Sequence, residues 1–233
     1  MGAALSLGYC TNFYFTFMKT AAVTIGMGKD FYEMATWTGG LVEELLGLEV
    51  RILDDRYHHL GVKEKDHDFM QKASTVKFSV FDIYPDLERV VFFDADWRPV
   101  RRFNIFDYCP DPDKMYVTVE KPYSEELKYL ETFLELQPET YFNGGFFVVS
   151  RNFKKYFEVA KRDFGNYKEK YFDQCILNQV LKGKVTYADS RLNVKVLKNY
   201  DPNALFNNSE ILGYHHGNNY HILKGWLPEY DWN

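Results

Sequence analysis

The sequence predicts an α/β fold with a mostly parallel central sheet, and three observations carry that prediction. Short β-rich runs alternate with helical stretches along most of the 233 residues, the pattern left by strands joined through crossover helices. Two runs, residues 89–93 (RVVFF) and 142–149 (FNGGFFVV), are almost unbrokenly apolar, as strands covered on both faces must be. A hydrophobic content of 46% over this length supplies one sizeable core, so a single elaborated domain spanning residues 1–233 is expected.

Taken in order, residues 5–9 read as a first strand, and Thr11-Asn12 as the cap of a helix running to about residue 25. Residues 31–36 read as a second strand, 40–47 as a helix and 48–53 as a third strand. The polar stretch 54–68 carries His58, His59 and His67 and reads as a solvated loop rather than a metal site. A helix over 69–84 ends at Pro85-Asp86 and leads into the strand at 89–93. Further strands are expected at 115–119 and 142–149, separated by a polar segment of helical period, 121–138, suited to contacts with an acceptor. Helices at 153–164 and 172–181, a strand at 184–187, a strand-like 211–214 and a turn-rich tail complete the chain. Residues 1–97 form the expected nucleotide-binding half, and 98–233 an acceptor half with a metal-completing tail.

Composition narrows the function. The net charge of −5 argues against a general polyanion binder. Arg98, Arg101 and Arg102 make a local basic stretch, read first as a solvated loop and second as a phosphate clamp. Aromatic content of 18% fits a ring-rich core first and a sugar- or base-stacking cleft second. Cys10, Cys109 and Cys175 form neither an even disulfide framework nor a metal-ligand spacing. With no run near a membrane span's length and no basic leader at the start, a cytoplasmic location is expected.

The chemistry centres on Val90-Val91-Phe92-Phe93-Asp94-Ala95-Asp96. A buried strand delivers two carboxylates to its carboxyl end with one small residue between them. Positions i and i+2 share a strand face, so the pair converges on a hard divalent cation if extended geometry persists to Asp96. Gly144 and Gly145 follow Asn143 at the head of the apolar run and permit close backbone approach to a ligand. Asp173 and Gln174 open a helix, His215-His216-Gly217 closes the strand-like segment, and Lys224-Gly225-Trp226 follows. Glu120, just after a strand, offers a carboxylate to a sugar hydroxyl.

In this order and spacing these pieces resemble the family 8 glycosyltransferases, the glycogenin-like and galactosyltransferase-like enzymes of GT-A fold, over most of the chain. Residues 77–96 carry the strongest likeness. The resemblance implies a Rossmann-like nucleotide-diphospho-sugar domain, a UDP-sugar donor, Mn²⁺ or Mg²⁺, and retaining transfer to a hydroxyl on a glycan, protein, lipid or modified base. Asp94 and Asp96 match the family's metal-binding pair, with Ala95 between them beside the donor, and His215 or His216 would complete the ligands. Thr11 and Asn12 match the uridine-contacting turn, and Tyr14 a ring stacked on the base. Lys77, Gly217 and Lys224 match donor-side positions. Asn143 and Gly144 match the step against the donor sugar, and Asp173 and Gln174 the pair beside the reacting carbon. The family's usual His-x-x-Gly places Tyr214 where its histidine normally stands, and Gly225 replaces a proline before the tryptophan. Two alternatives compete. A haloacid-dehalogenase-like phosphatase also ends a strand in Asp-x-Asp, but continues with Gly-Thr near its start, whereas Trp97-Arg98 follows here. A catalytically degenerate nucleotide-sugar-binding module is the non-enzyme reading.

Overall fold

The computed structural model describes residues 18–62, 69–120, 138–164, 172–196 and 208–216. The expected strand at 5–9, the segment 121–137, and Thr11, Asn12, Tyr14, His67, Gly217 and Lys224 lie outside the described residues.

The main sheet contains β1 (Thr20–Ile25), β2 (Val50–Leu53), β3 (Arg89–Phe93), β5 (Tyr116–Val119), β6 (Phe142–Ser150) and β7 (Thr186–Tyr187). Its order is β2-β1-β3-β6-β5-β7. Every strand except β6 runs the same way, since β1 is parallel to β2 and β3, β7 is parallel to β5, and β6 is antiparallel to both neighbours. A second sheet of three strands has the order β4-β9-β8, formed by β4 (Arg98–Pro99), β9 (Gly213–His216) and β8 (Val194–Val196). The helices are α1 (Lys29–Leu46), α2 (Phe69–Ser74), α3 (Val80–Ile83), α4 (Lys154–Asp163) and α5 (Phe172–Val180).

Alternation along the apolar strands builds two cores, one on each face of the main sheet. Val90 and Phe92 of β3 join Phe147 and Val149 of β6 on one face, beneath Phe78, Phe81 and Phe157. Val91 and Phe93 join Phe146 and Val148 on the other, against Trp97, Ile105 and Leu192. Because neither face is left to solvent, the strands need no polar alternation. The small sheet closes over Trp97, whose indole Nε1 donates to Leu192 O at 3.0 Å.

Two predicted elements are corrected. Residues 20–25 are the strand β1 rather than the end of a helix; Ala21, Ala22 and Val23 are fully buried between β2 and β3. A continuous apolar run has no period to separate strand from helix, and pairing on both sides decides it. Residues 31–36 lie inside α1 rather than in a strand. Its buried Met34, Ala35, Thr38, Gly39 and Val42 repeat at helical spacing, and Gly47 closes it in the left-handed conformation at φ 69°. The expected helix over 69–84 forms as α2, a 3₁₀ stretch at Thr75–Ser79, and α3. β4 and β8, two and three residues long, were not expected.

Within the basic stretch Arg102 is exposed and Arg101 half-buried, as a solvated loop predicts, but Arg98 is not solvated. Arg98 is 2% exposed, donates to the carbonyls of Ala95 and Trp97, and stacks over Trp37 at 4.4 Å. Arg101 donates to Ser209 O and Asn208 O, and Arg102 to Glu44 O. Each of the three guanidinium groups thus donates to at least one backbone carbonyl. The histidine-bearing segment begins with a 3₁₀ helix, Asp55–Leu60, in which His58 stacks on Phe69.

Candidate active site

Strand direction gathers the site. The carboxyl ends of β3 and β5 and the amino end of antiparallel β6 fall on one edge of the sheet. The chain also reverses its order there, passing from β1 out to β2 and back across to β3. Ligands of open α/β sheets settle at such switch points. Asp94 leaves β3 on this edge, Glu120 leaves β5, and Asn143 to Gly145 open β6. α5 packs behind them and presents Asp173 and Gln174 from its first turn.

The acidic pair sits on a turn rather than an extended end. β3 stops at Phe93, and Trp97 N donates back to Asp94 O at 2.9 Å. Alternation along a strand therefore does not set how the two carboxylates stand to each other; the turn does. Asp94 N donates to Gly145 O at 2.7 Å, while Ala95 O accepts from Thr38 Oγ1 at 2.8 Å and from Arg98. Burial and the neighbouring charge of Asp94 push the Asp96 carboxyl up to about 7, with Arg98 opposing. Such a pair favours a cation between its members. A Cβ on Gly145 would lie 2.8 Å from Asp94 Cγ and closer still to its Oδ2, so this glycine gives the carboxylate its room.

Lys77 lies beneath the pair, 1% exposed, in the 3₁₀ stretch. Its Nζ donates to Asp173 Oδ2 at 2.6 Å and to Gly144 O at 3.0 Å, stands 3.7 Å from Asp94 Oδ1, and lies 4.7 Å over the Phe92 ring. Burial opposes the ammonium, but Asp173 and Asp94 together outweigh it and hold it above the ordinary lysine range. Lys77 thus acts from below as a fixed charge linking the first acidic residue to Asp173. Asp173 and Gly144 take two of its three N–H donors, and Asp94 is the next anion within reach.

The amides form the opposite wall. Gly144 N donates to Gln174 Oε1 at 2.8 Å, and Gln174 Nε2 donates to Tyr141 OH at 2.8 Å. Asn143 Oδ1 accepts from Gly145 N at 2.9 Å, and its Nδ2 donates to Glu120 Oε2 at 2.7 Å. Asn178, one turn along α5, clamps β6 by donating to Phe142 O and accepting from Phe142 N, both at 2.9 Å.

Glu120 differs from the expectation of a carboxylate open to a sugar hydroxyl. It is 4% exposed, and both oxygens are held, Oε1 by Lys195 Nζ at 2.6 Å and Oε2 by Asn143. His215 is buried beside it, with Nδ1 2.7 Å from Asn193 Oδ1 and Nε2 3.7 Å from Glu120 Oε2. Burial, reinforced by Lys195, pulls its imidazole down to about 4. Among the described residues, no three His, Cys, Asp or Glu side chains gather as a metal-binding group. Asp94, Asp96, Lys77, Asn143, Gly144, Asp173, Gln174 and Glu120 therefore share one edge, with His215 on its flank. Tyr141, Asn193, Lys195, Thr38 and Arg98 support them and were not singled out as site residues. The three-residue strand that carries Lys195 just after Asn193 leaves no periodic signal to find.

The profile described as glycosyl transferase family 8 matches residues 36–216. Among curated proteins none matches the chain by sequence. The fold is similar to that of a solved galactosyltransferase, LgtC, in complex with donor and acceptor sugar analogues. That likeness has a TM-score of 0.61 at 16% identity and covers 91% of this chain and 98% of that one. It is similar to the WbbM bifunctional glycosyltransferase, with a TM-score of 0.65 at 14% identity over 93% of this chain; the chain spans about half, 51%, of WbbM. A glycosyltransferase involved in glycosylation of the major capsid of PBCV-1 is also similar, with a TM-score of 0.56 at 14% identity, over 84% of this chain and 92% of that one. No helix among the described residues is long and apolar enough to cross a membrane.

Proposed function

The chain belongs to glycosyl transferase family 8, and from that membership we propose that it moves a hexose from a UDP-sugar to a hydroxyl acceptor, with metal assistance and retention at the anomeric carbon. The observation that supports this reading most is the linkage through Lys77. One buried ammonium touches Asp173 and Gly144 and approaches Asp94, tying the acidic turn to the wall expected to face the sugar.

The residues fit a divalent cation. The acidic turn supplies oxygen donors whose charges oppose each other, the set preferred by hard ions such as Mg²⁺ and Mn²⁺, and Gly145 keeps Asp94 unobstructed. Asp94 and Asp96 would hold the ion, with an imidazole from the His215–His216 pair. When bound, it would supply Lewis-acid stabilisation of the charge growing on the leaving diphosphate. Thr11, Asn12 and Tyr14 would receive the uridine, and Gly217 and Lys224 the diphosphate.

The chain's own groups account for the rest. Asn143, Gly144 and Gln174 hold a rigid wall of amides, preorganised by mutual hydrogen bonds, against which the donor sugar would lie. Asp173 spends its Oδ2 on Lys77 at 2.6 Å. A carboxylate neutralised in this way is a poor nucleophile, which favours attack by the acceptor on the same face over a covalent intermediate. Asp173 and Lys77 then act as a fixed dipole beside the reacting carbon. Family membership sets aside the phosphatase alternative.

The test is release of UDP from a panel of UDP-sugars with Mn²⁺, with and without a chelator. At least one donor should turn over, and the chelator should stop it. Tight UDP binding with no release from any donor would make the protein a binding module and overturn the proposal. Asp96→Asn should cut Mn²⁺-dependent UDP binding and turnover by about ten- to a hundred-fold or more; undiminished turnover would reject the metal assignment. Asp173→Asn should lower kcat while leaving the donor KM nearly unchanged. The opposite split would remove Asp173 from the chemical step.

A further inference from the structure

Asn143 is the amide whose orientation matters most in this site, and hydrogen bonds alone determine it. Its Oδ1 accepts from the backbone N–H of Gly145 at 2.9 Å, which cannot be reversed, so Nδ2 must face Glu120. Asn193 Nδ2 donates to the same Oδ1 at 3.1 Å and to Thr118 Oγ1 at 3.1 Å. The Asn193 Oδ1 is then an acceptor, so the His215 nitrogen 2.7 Å away, Nδ1, carries the proton. On the other side, Glu120 Oε2 takes the Asn143 amide at 2.7 Å while Lys195 Nζ holds Oε1 at 2.6 Å. The register of β5 on β6 shifts between Val117 and Val119, next to this cluster, where Thr118 meets Asn193 and Glu120 meets Asn143.

We propose that Glu120, braced by Lys195 from β8, is a positioning residue that sets the Asn143 amide against the donor sugar. It is not an acceptor-binding residue. The inference rests on the reading of Asn143 as a donor-facing group. Its physical basis is that Glu120 must accept on both oxygens. A glutamine there presents one NH₂. Turned toward Asn143, that NH₂ meets another donor; turned toward Lys195, it meets an ammonium. Either way one of the two contacts breaks, and a buried carboxamide without its partner reorients. Lys195 matters through Glu120: without it the buried carboxylate loses its counter-charge and its fixed geometry.

The experiment uses the whole chain labelled with ¹⁵N-asparagine, with the Asn143 side-chain signal assigned by its loss in Asn143→Ala. In Glu120→Gln and in Lys195→Met that signal should shift and lose its protection from solvent exchange, while Lys195→Arg should restore it. The remaining asparagine signals report whether each variant is folded. The same proteins are assayed for UDP release to water from a UDP-sugar and Mn²⁺, with no acceptor present. Glu120→Gln and Lys195→Met should lower kcat for this hydrolysis by about tenfold or more with little change in donor KM, as misplaced groups do. Adding Glu120→Gln to Asn143→Ala should cost nothing further. An unchanged Asn143 signal in both variants overturns the proposal. So does unchanged hydrolysis with a raised acceptor KM, which would return Glu120 to the acceptor. If the Asn143 signal responds as stated but no UDP-sugar is turned over by the unaltered protein, positioning stands and the transferase reading fails.

Discussion

Lys77→Met is expected to cost both the fold and the reaction. Nζ is the counter-charge for Asp173 at 2.6 Å and lies 3.7 Å from Asp94, and the side chain is enclosed by protein. Methionine matches its length and packs against Phe92, so the loss is electrostatic rather than a cavity. Removing one member of a buried ion pair costs about 3–5 kcal/mol. Half of the Asp94 side chain and a fifth of that of Asp173 reach solvent, so about 3 kcal/mol is the expected figure. Urea unfolding at neutral pH measures it, and the deficit should shrink in acid, where protonation removes the mutual repulsion of the stranded carboxylates. Donor turnover should fall by about a hundred-fold or more, because the Lys77–Asp173 dipole proposed to lie beside the reacting carbon is lost. A variant as stable and as active as the parent would show that Lys77 only fills space.

Gly145→Ala adds one methyl group and is expected to disable the acidic turn. The new Cβ would stand 2.8 Å from Asp94 Cγ and 3.2 Å from Asn143 Oδ1, and nearer still to the Asp94 carboxylate oxygen. The Asp94 backbone cannot retreat, since its N–H is tied to Gly145 O at 2.7 Å, so the side chain must swing away. Overpacking of this kind costs about 1–3 kcal/mol, and an ångström of misplacement at a reacting centre costs on the order of a hundred-fold in rate. Calorimetry of UDP with Mn²⁺ should show binding largely abolished in a folded protein. Retention of full Mn²⁺-dependent binding would mean that Asp94 does not hold the ion in the conformation described here.

Much of the site was legible before the structure. Asp94 and Asp96 stood out because an apolar run ending in two carboxylates one small residue apart can offer both to a hard cation. Asn143-Gly144-Gly145 stood out because glycines interrupt a strand that otherwise resists them. The predicted strand at 89–93 coincides with β3, and 142–149 with all but the last residue of β6, since runs buried on both faces admit few alternatives. Thr20–Ile25 and the start of α1 were exchanged between helix and strand, because local propensity is weak beside the burial that pairing supplies.

The chain's order of residues, by itself, determined the α/β class, the central buried strands, the acidic pair and its glycine-rich opposite wall, because these depend on local polarity and on neighbours one or two positions apart. Tertiary structure alone decided what each polar group is for. It put Lys77 under the acidic turn across 96 positions from Asp173, turned Arg98 inward onto the carbonyls of Ala95 and Trp97, and committed Glu120 to Lys195 and Asn143. A hydrogen bond requires partners within about 3 Å and correctly aimed, and no one-dimensional pattern encodes which distant donor will arrive.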